Sequence, residues 1–217
     1  MIQIEACVES LEAAVAAAEG GADRIELCAN LAVGGVSPGR ELLTACASQL
    51  DIPVFVMVRP RAGDYRYSAA EQTAMLDEIR HANDAGARGI VTGALRLGGT
   101  VDETLTGELI AAARPLPVTF HRAFDETPDA ERALETLIGL GAARVLTSGQ
   151  ATTAPEGAAM IGRLVRLAAG RIGILAGAGI DGDNVAALVR TSGVREVHLS
   201  AKEAEKVKRV ALSLDRC

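Results

Sequence analysis

A (β/α)8 barrel of the TIM type is the fold this chain predicts, and three observations predict it. Eight short β-rich runs begin near residues 2, 24, 53, 89, 117, 144, 172 and 196. Nearly every gap between them carries apolar residues at helical spacing, so strands and helices alternate around a parallel sheet. No linker or change of composition interrupts the 217 residues. One closed barrel over residues 1–217 is therefore expected rather than an open doubly wound sheet.

The elements follow in order. The first strand runs through IEAC, and Ser10 caps the helix after it, with Ala13, Ala14, Ala17 and Ala18 at helical spacing and Gly20-Gly21 at its end. RIELCAN is the second strand, followed by a helix that carries Cys46. VFVMVRPRAGD and IVTGA are the third and fourth, with Ser68 and Asp102 as caps of the helices that follow. VTFHRAFD is the fifth; Thr127-Pro128 then reads as cap and first-turn proline of a helix with Leu134, Leu137 and Ile138, closed by Gly141. RVLTSG and GILAGAGI are the sixth and seventh, and Asp181 to Asn184 begin the next helix. EVHLSA is the eighth. A weak repeat supports closure: GGADRIELC, DAGARGIVTG, GLGAARVLTSG and RTSGVREVHLS each run from a helix-ending glycine into a strand. Only Ala201 to Cys217 follows the last strand, enough for a shortened eighth helix of about three turns. An apolar edge left uncovered there would favour a homo-oligomer.

Composition excludes several classes of partner. A net charge of -6, a pI near 5.2 and only five aromatic residues disfavour nucleic acid, which demands cationic surface and stacking platforms. The chain shows no basic, apolar leader and no apolar run of membrane-spanning length, so a cytoplasmic protein is expected. Cys7, Cys28, Cys46 and Cys217 form no close CxxC pair and read as free thiols.

The chemistry lies where strands face the lumen or end. Alternation turns Ile2 and Ile4 toward the helices, and Gln3, Glu5 and Cys7 inward. Ile25 and Leu27 outward place Arg24, Glu26 and Cys28 inward, so strands one and two should present matching columns of Glu over Cys. Strand eight offers Glu196, His198 and Ser200. Adjacent strands lie about 4.8 Å apart, close enough for two thiols to share a soft metal such as Cu(I) or Zn(II). A buried cysteine also serves as a small hydrophobe, and Glu5, Glu26 and Glu196 could equally form an ion network that sets barrel register.

Strand ends carry the rest. Arg59 and Arg61 follow strand three, and His121, Arg122 and Asp125 follow strand five; a buried strand has no stability reason to end in such charges. Tyr65 and Tyr67 share one loop with them and suggest either a lid or a simple cover for the mouth. Phosphate in such barrels commonly sits on the loops after strands seven and eight. Gly177 and Gly179 of AGAGI, with Ser148, Gly149 and Ser200, are the expected small donors to such an anion.

Taken in order, IEAC, GADRIELC, GGVSPG, RPRAGD, VTGAL, VTFHRAFD, RVLTSGQ, AGAGI and EVHLSA resemble the CutC family, called copper homeostasis proteins, over nearly the whole chain. The resemblance implies the same barrel, cytosolic copper handling, and Cu(I) binding at Cys7 and Cys28. It departs at the C-terminus, where this chain stops before the family's usual tail. Two functions follow. The first is Cu(I) binding by Cys7 and Cys28, with His198 as a third ligand. The second is a barrel isomerase or lyase for a small phosphorylated or carboxylated metabolite. Its anion grip would come from Gly177, Gly179 and Ser200, its charge clamps from Arg59 and Arg122, and its proton transfer from Glu26, His121 or Asp125.

Overall fold

The computed structural model describes residues 1–201 and 204–214, so Cys217 lies outside the described residues. Eight strands alternate with eight helices. They are β1 (Gln3–Val8), α1 (Leu11–Glu19), β2 (Arg24–Leu27), α2 (Arg40–Gln49), β3 (Val54–Met57), α3 (Ala69–Asp84), β4 (Gly89–Thr92), α4 (Glu103–Ala113), β5 (Val118–Phe120), α5 (Ala130–Leu140), β6 (Arg144–Thr147), α6 (Ala158–Ala168), β7 (Gly173–Gly177), α7 (Val185–Ser192), β8 (Glu196–Ser200) and α8 (Ala204–Leu214). All neighbouring strands pair parallel, and β8 returns to β1 to close the barrel. Among the described residues no helix is long and apolar enough to cross a membrane.

Alternation sorts the side chains as their types require. Ile4, Ala6, Val8, Ile25, Leu27, Val197 and Leu199 pack outward into the layer shared with the helices. Cys7, Cys28, Phe55, Met57 and Val91 form a separate cluster inside the barrel. Each large apolar side chain moved into the outer layer contributes about 1.5–3 kcal/mol of burial. That layer therefore carries the stability and frees the lumen for polar groups. The expected matching columns are corrected by the stagger that closure imposes: Glu5 stands opposite Arg24, and Cys7 opposite Glu26.

The lower lumen is an ion network. Arg24 Nε donates to Glu5 Oε2 at 2.5 Å, and its Nη2 to Glu196 Oε2 at 2.8 Å. Arg144 Nε reaches the same Glu196 oxygen at 2.9 Å. Both guanidinium groups lie over the Phe55 ring, 4.8 and 5.1 Å from its centre. Glu5 and Glu196 thus hold the barrel floor rather than face a ligand.

Most caps stand where expected: Ser10, Ser68 and Asp102 accept backbone N–H groups at their helix starts, and Gly141 ends α5. Thr127-Pro128 does not cap α5. Residues Arg122–Glu126 wind into a 3-10 turn first, and the Thr127 hydroxyl donates back to the Phe124 carbonyl; Asp129 then caps α5 by accepting from the N–H groups of Glu131 and Arg132. Asp181 to Asn184 form a turn before α7, with Asn184 as its N-cap. The eighth helix is not shortened against its siblings. At 11 residues it equals α4, α5 and α6, and it packs on α1, α7 and β1 with Val207 and Val210 fully buried.

Candidate functional site

The floor of the site comes from β1, β2 and β8. The Cys7 thiol donates to Glu26 Oε1 at 3.1 Å, and its Sγ lies 3.1 Å from Sγ of Cys28. Both cysteines are buried. Gly35, at φ +82°, sits where a Cβ would press on Cys28 Cβ and Sγ, so bare backbone closes the turn over that sulfur. Cys7, Glu26 and His198 bring ligand atoms within 4.8 Å of one another. Glu26 Oε2 is buried with no hydrogen-bond partner. Cys46 lies apart, buried on α2, where burial and then Glu12 push its thiol up to about 11.

Charge in the floor is set by burial against neighbours. Burial alone would raise the Glu5 carboxyl, but the His198 hydrogen bond at 2.7 Å and the Arg24 guanidinium outweigh it and bring it down to about 2. Glu5 is therefore a carboxylate that accepts from His198 Nδ1, leaving Nε2 as the free ring nitrogen of a residue that lines the mouth. Burial disfavours charge on His198, yet Glu26 and Glu5 outweigh it and raise the imidazole. Burial raises the Glu26 carboxyl. The adjacent Cys28 thiol, burial and Glu26 together hold the Cys7 thiol well above its ordinary value, so Cys7 rests protonated.

Above this floor opens a cavity of about 390 Å3 at the C-terminal ends of the strands, lined by Cys7, Glu26, Arg59, Tyr65, His121 and His198 among others. His121 is held neutral: burial and the nearby Arg59 charge bring its imidazole down to about 3. Its Nδ1 accepts the Ala123 N–H at 3.3 Å, and Nε2 is buried without a partner. The Tyr65 ring centre lies 4.9 Å from that of the imidazole and 4.8 Å from the Arg59 guanidinium carbon. Arg59 donates to the carbonyls of Val33, Gly35 and Gly63, so two loops, after β2 and after β3, are hung on one buried side chain. The loop carrying Tyr65 is pinned by Arg61 and by the Leu95 N–H on the Tyr65 carbonyl. Tyr65 therefore covers the mouth as a fixed wall, while Tyr67 packs into the outer core.

Several expected site residues have other work. Arg61 does not reach the mouth: it pairs with Asp64 at 3.0 Å and Glu71 at 2.6 Å and braces its own loop. Asp125 lines the mouth but accepts from Arg122, Thr147, Ser148 and Gln150. The Ser148 N–H thus points at an internal carboxylate, and the Gly149 N–H at Thr147 Oγ1, so neither is left for an external anion. Gly177 lies below the mouth; a Cβ there would come within 2.6 Å of Leu146 Cδ1 and 3.3 Å of His198, so its glycine makes room for the imidazole. Arg122, Gly179 and Ser200 do line the mouth. Two residues escaped the sequence reading. Lys206, on the first turn of α8, reaches the mouth as an added cation. Gly93 leaves the space that His121 fills, since a Cβ would stand 2.6 Å from Nδ1; the glycine of VTGAL was the available signal.

Comparison with known proteins identifies the family and the fold. The CutC family model matches residues 2–203. A family protein CutC from Pasteurella multocida (strain Pm70) is 49% identical over 201 residues, covering 93% of this chain and 82% of that protein. The human copper homeostasis protein cutC homolog is 49% identical over 199 residues, covering 92% and 73%. The crystal structure of CutC from Streptococcus agalactiae superposes with a TM-score of 0.87 at 32% identity, covering 91% of this chain and 98% of that one. The aldolase QR15, with a TM-score of 0.69 at 16% identity, shares the barrel fold.

Proposed function

The chain belongs to the CutC family, and from that membership we propose that it serves copper homeostasis in the cytosol by binding Cu(I) through Cys7 and Cys28, with His198 as the third ligand. One observation carries the reading: two thiols 3.1 Å apart, one of them lining a cavity that opens to solvent. Thiolate is the soft ligand that Cu(I) prefers, and an imidazole is an acceptable companion. Glu5 supports His198 as a carboxylate behind a ligating imidazole does, fixing the tautomer that leaves Nε2 available. Because the Cys7 thiol rests protonated, Cu(I) uptake displaces its proton, and Glu26, hydrogen-bonded to Cys7, is placed to receive it. The names of the human and mouse relatives, copper homeostasis protein cutC homolog, point the same way.

The test is an anaerobic Cu(I) titration of reduced protein against a chromophoric chelator, with X-ray absorption to identify the ligands. Wild type should take up Cu(I) with sulfur in the first coordination sphere. Cys7→Ser combined with Cys28→Ser should abolish uptake, and Cys46→Ser should leave it unchanged. Undiminished uptake by the double variant would sink the reading.

A further inference from the structure

Buried polar side-chain atoms without partners are rare, and each calls for an explanation. Three of those in this protein belong to residues lining one cavity: Glu26 Oε2, Arg59 Nε and His121 Nε2. Glu26 is accounted for by the thiol floor. Arg59 and His121 are not. Both are 4% exposed, and both carry a hydrogen on the unpartnered atom. For His121 that hydrogen is assigned by the other ring nitrogen: Nδ1 accepts the Ala123 N–H, so the neutral ring must carry its proton on Nε2. A donor desolvated to this degree costs about 1–3 kcal/mol unless an acceptor arrives.

The wall also carries further donors. Arg122 and Lys206 add cationic side chains to the same mouth. On the far side, Ala178 at φ +85° and Gly179 at φ +70° turn the backbone after β7, and the N–H groups of Ala178, Gly179 and Ile180 meet no acceptor among the described residues. Of the carboxylates at the mouth, Asp125 is already engaged by four residues. Glu26 and Glu126 line the cavity as well, so it is the two buried donors without partners, His121 Nε2 and Arg59 Nε, that call for an acceptor.

We propose that the mouth is a binding site for a small metabolite bearing a carboxylate or phosphate group, whose oxygens accept from His121 Nε2 and Arg59 Nε, with the 178–180 backbone as the opposite wall. The site stands above the thiol pair and does not depend on copper. A neutral imidazole and a guanidinium are fixed donors for an oxyanion, and the Tyr65 ring packs against both. At about 390 Å3 the cavity is of a size that takes a small molecule.

The chain has three histidines, so spectra of protein labelled with 15N on histidine are simple to assign. The probes are inorganic phosphate, glycerol 3-phosphate and malate, each titrated through the millimolar range. The His121 Nε2 resonance should shift saturably with at least one probe, and the class that binds tighter separates phosphate from carboxylate recognition. By calorimetry, His121→Leu should weaken that probe about tenfold, as should Arg59→Met, while Cys46→Ser, on α2 away from the mouth, should leave it unchanged. His121→Gln, which restores an N–H, should recover part of the loss. If either variant fails to fold, the wild-type resonance decides alone. A His121 signal that moves with none of the three probes, or a folded His121→Leu protein that binds as tightly as wild type, overturns the site.

Discussion

The Asp125 carboxylate accepts the Ser148 backbone N–H at both of its oxygens, at 3.1 Å from Oδ1 and 3.0 Å from Oδ2. An acidic residue at a strand end thereby serves as the internal anion of the next βα loop. Thr147 at 2.5 Å, the Gln150 N–H at 3.2 Å and the Arg122 guanidinium at 2.9 Å complete its shell. Asp125→Ala should lower unfolding free energy by about 2–4 kcal/mol in urea denaturation, because several donors lose their acceptor together. A stability equal to wild type would return Asp125 to the set of candidate acid–base groups.

Glu5 makes the barrel floor acid-sensitive. Its carboxyl, ordinarily near 4.5, is held at about 2 in the folded protein. The unfolded chain therefore binds this proton first as pH falls, so the stability from Glu5 is complete above 4.5 and is lost between 4.5 and 2. Glu5→Gln should remove that dependence and cost about 3–5 kcal/mol near neutrality, since Arg24 and His198 are left facing an uncharged amide. Denaturant melts across this pH range would show a flattened curve in the variant.

His121 acts in a neighbouring window. Its imidazole titrates near 6.5 when exposed and near about 3 in the fold, so the unfolded chain gains this proton as pH drops below 6.5 while the native state does not. Its contribution is fully present above 6.5 and declines toward 3. His121→Gln should reduce the loss of stability between pH 6.5 and 4.5, where Glu5 contributes little. An unchanged slope in that interval would mean the imidazole is hydrated in the native state.

Gly93→Ala tests the seat of His121. The new methyl would stand 2.6 Å from Nδ1, so the ring must turn away and release the Ala123 N–H. Overpacking of this kind costs about 1–3 kcal/mol. The His121 imidazole should titrate closer to 6.5 in this variant, as read by NMR. Cu(I) uptake at the cysteines should not change.

Eight β-rich runs, their alternation with helices, and the parity that turns Glu5, Cys7, Glu26 and His198 inward were all legible in the chain, because period and burial are local properties of residue type. So was the concentration of charge at the ends of strands three and five. Register was not. The offset that seats Cys7 beside Glu26 is a property of the closed sheet, which no single strand encodes. Partner choice was equally hidden: Arg61, Ser148 and Gly149 have the chemistry of an anion site and Asp125 that of an acid–base group, yet the tertiary structure satisfies them with one another and with their own loops. A polar side chain is available to a ligand only after the fold has failed to satisfy it. That condition is nonlocal, and it left His121, Arg59 and one oxygen of Glu26 open at the mouth.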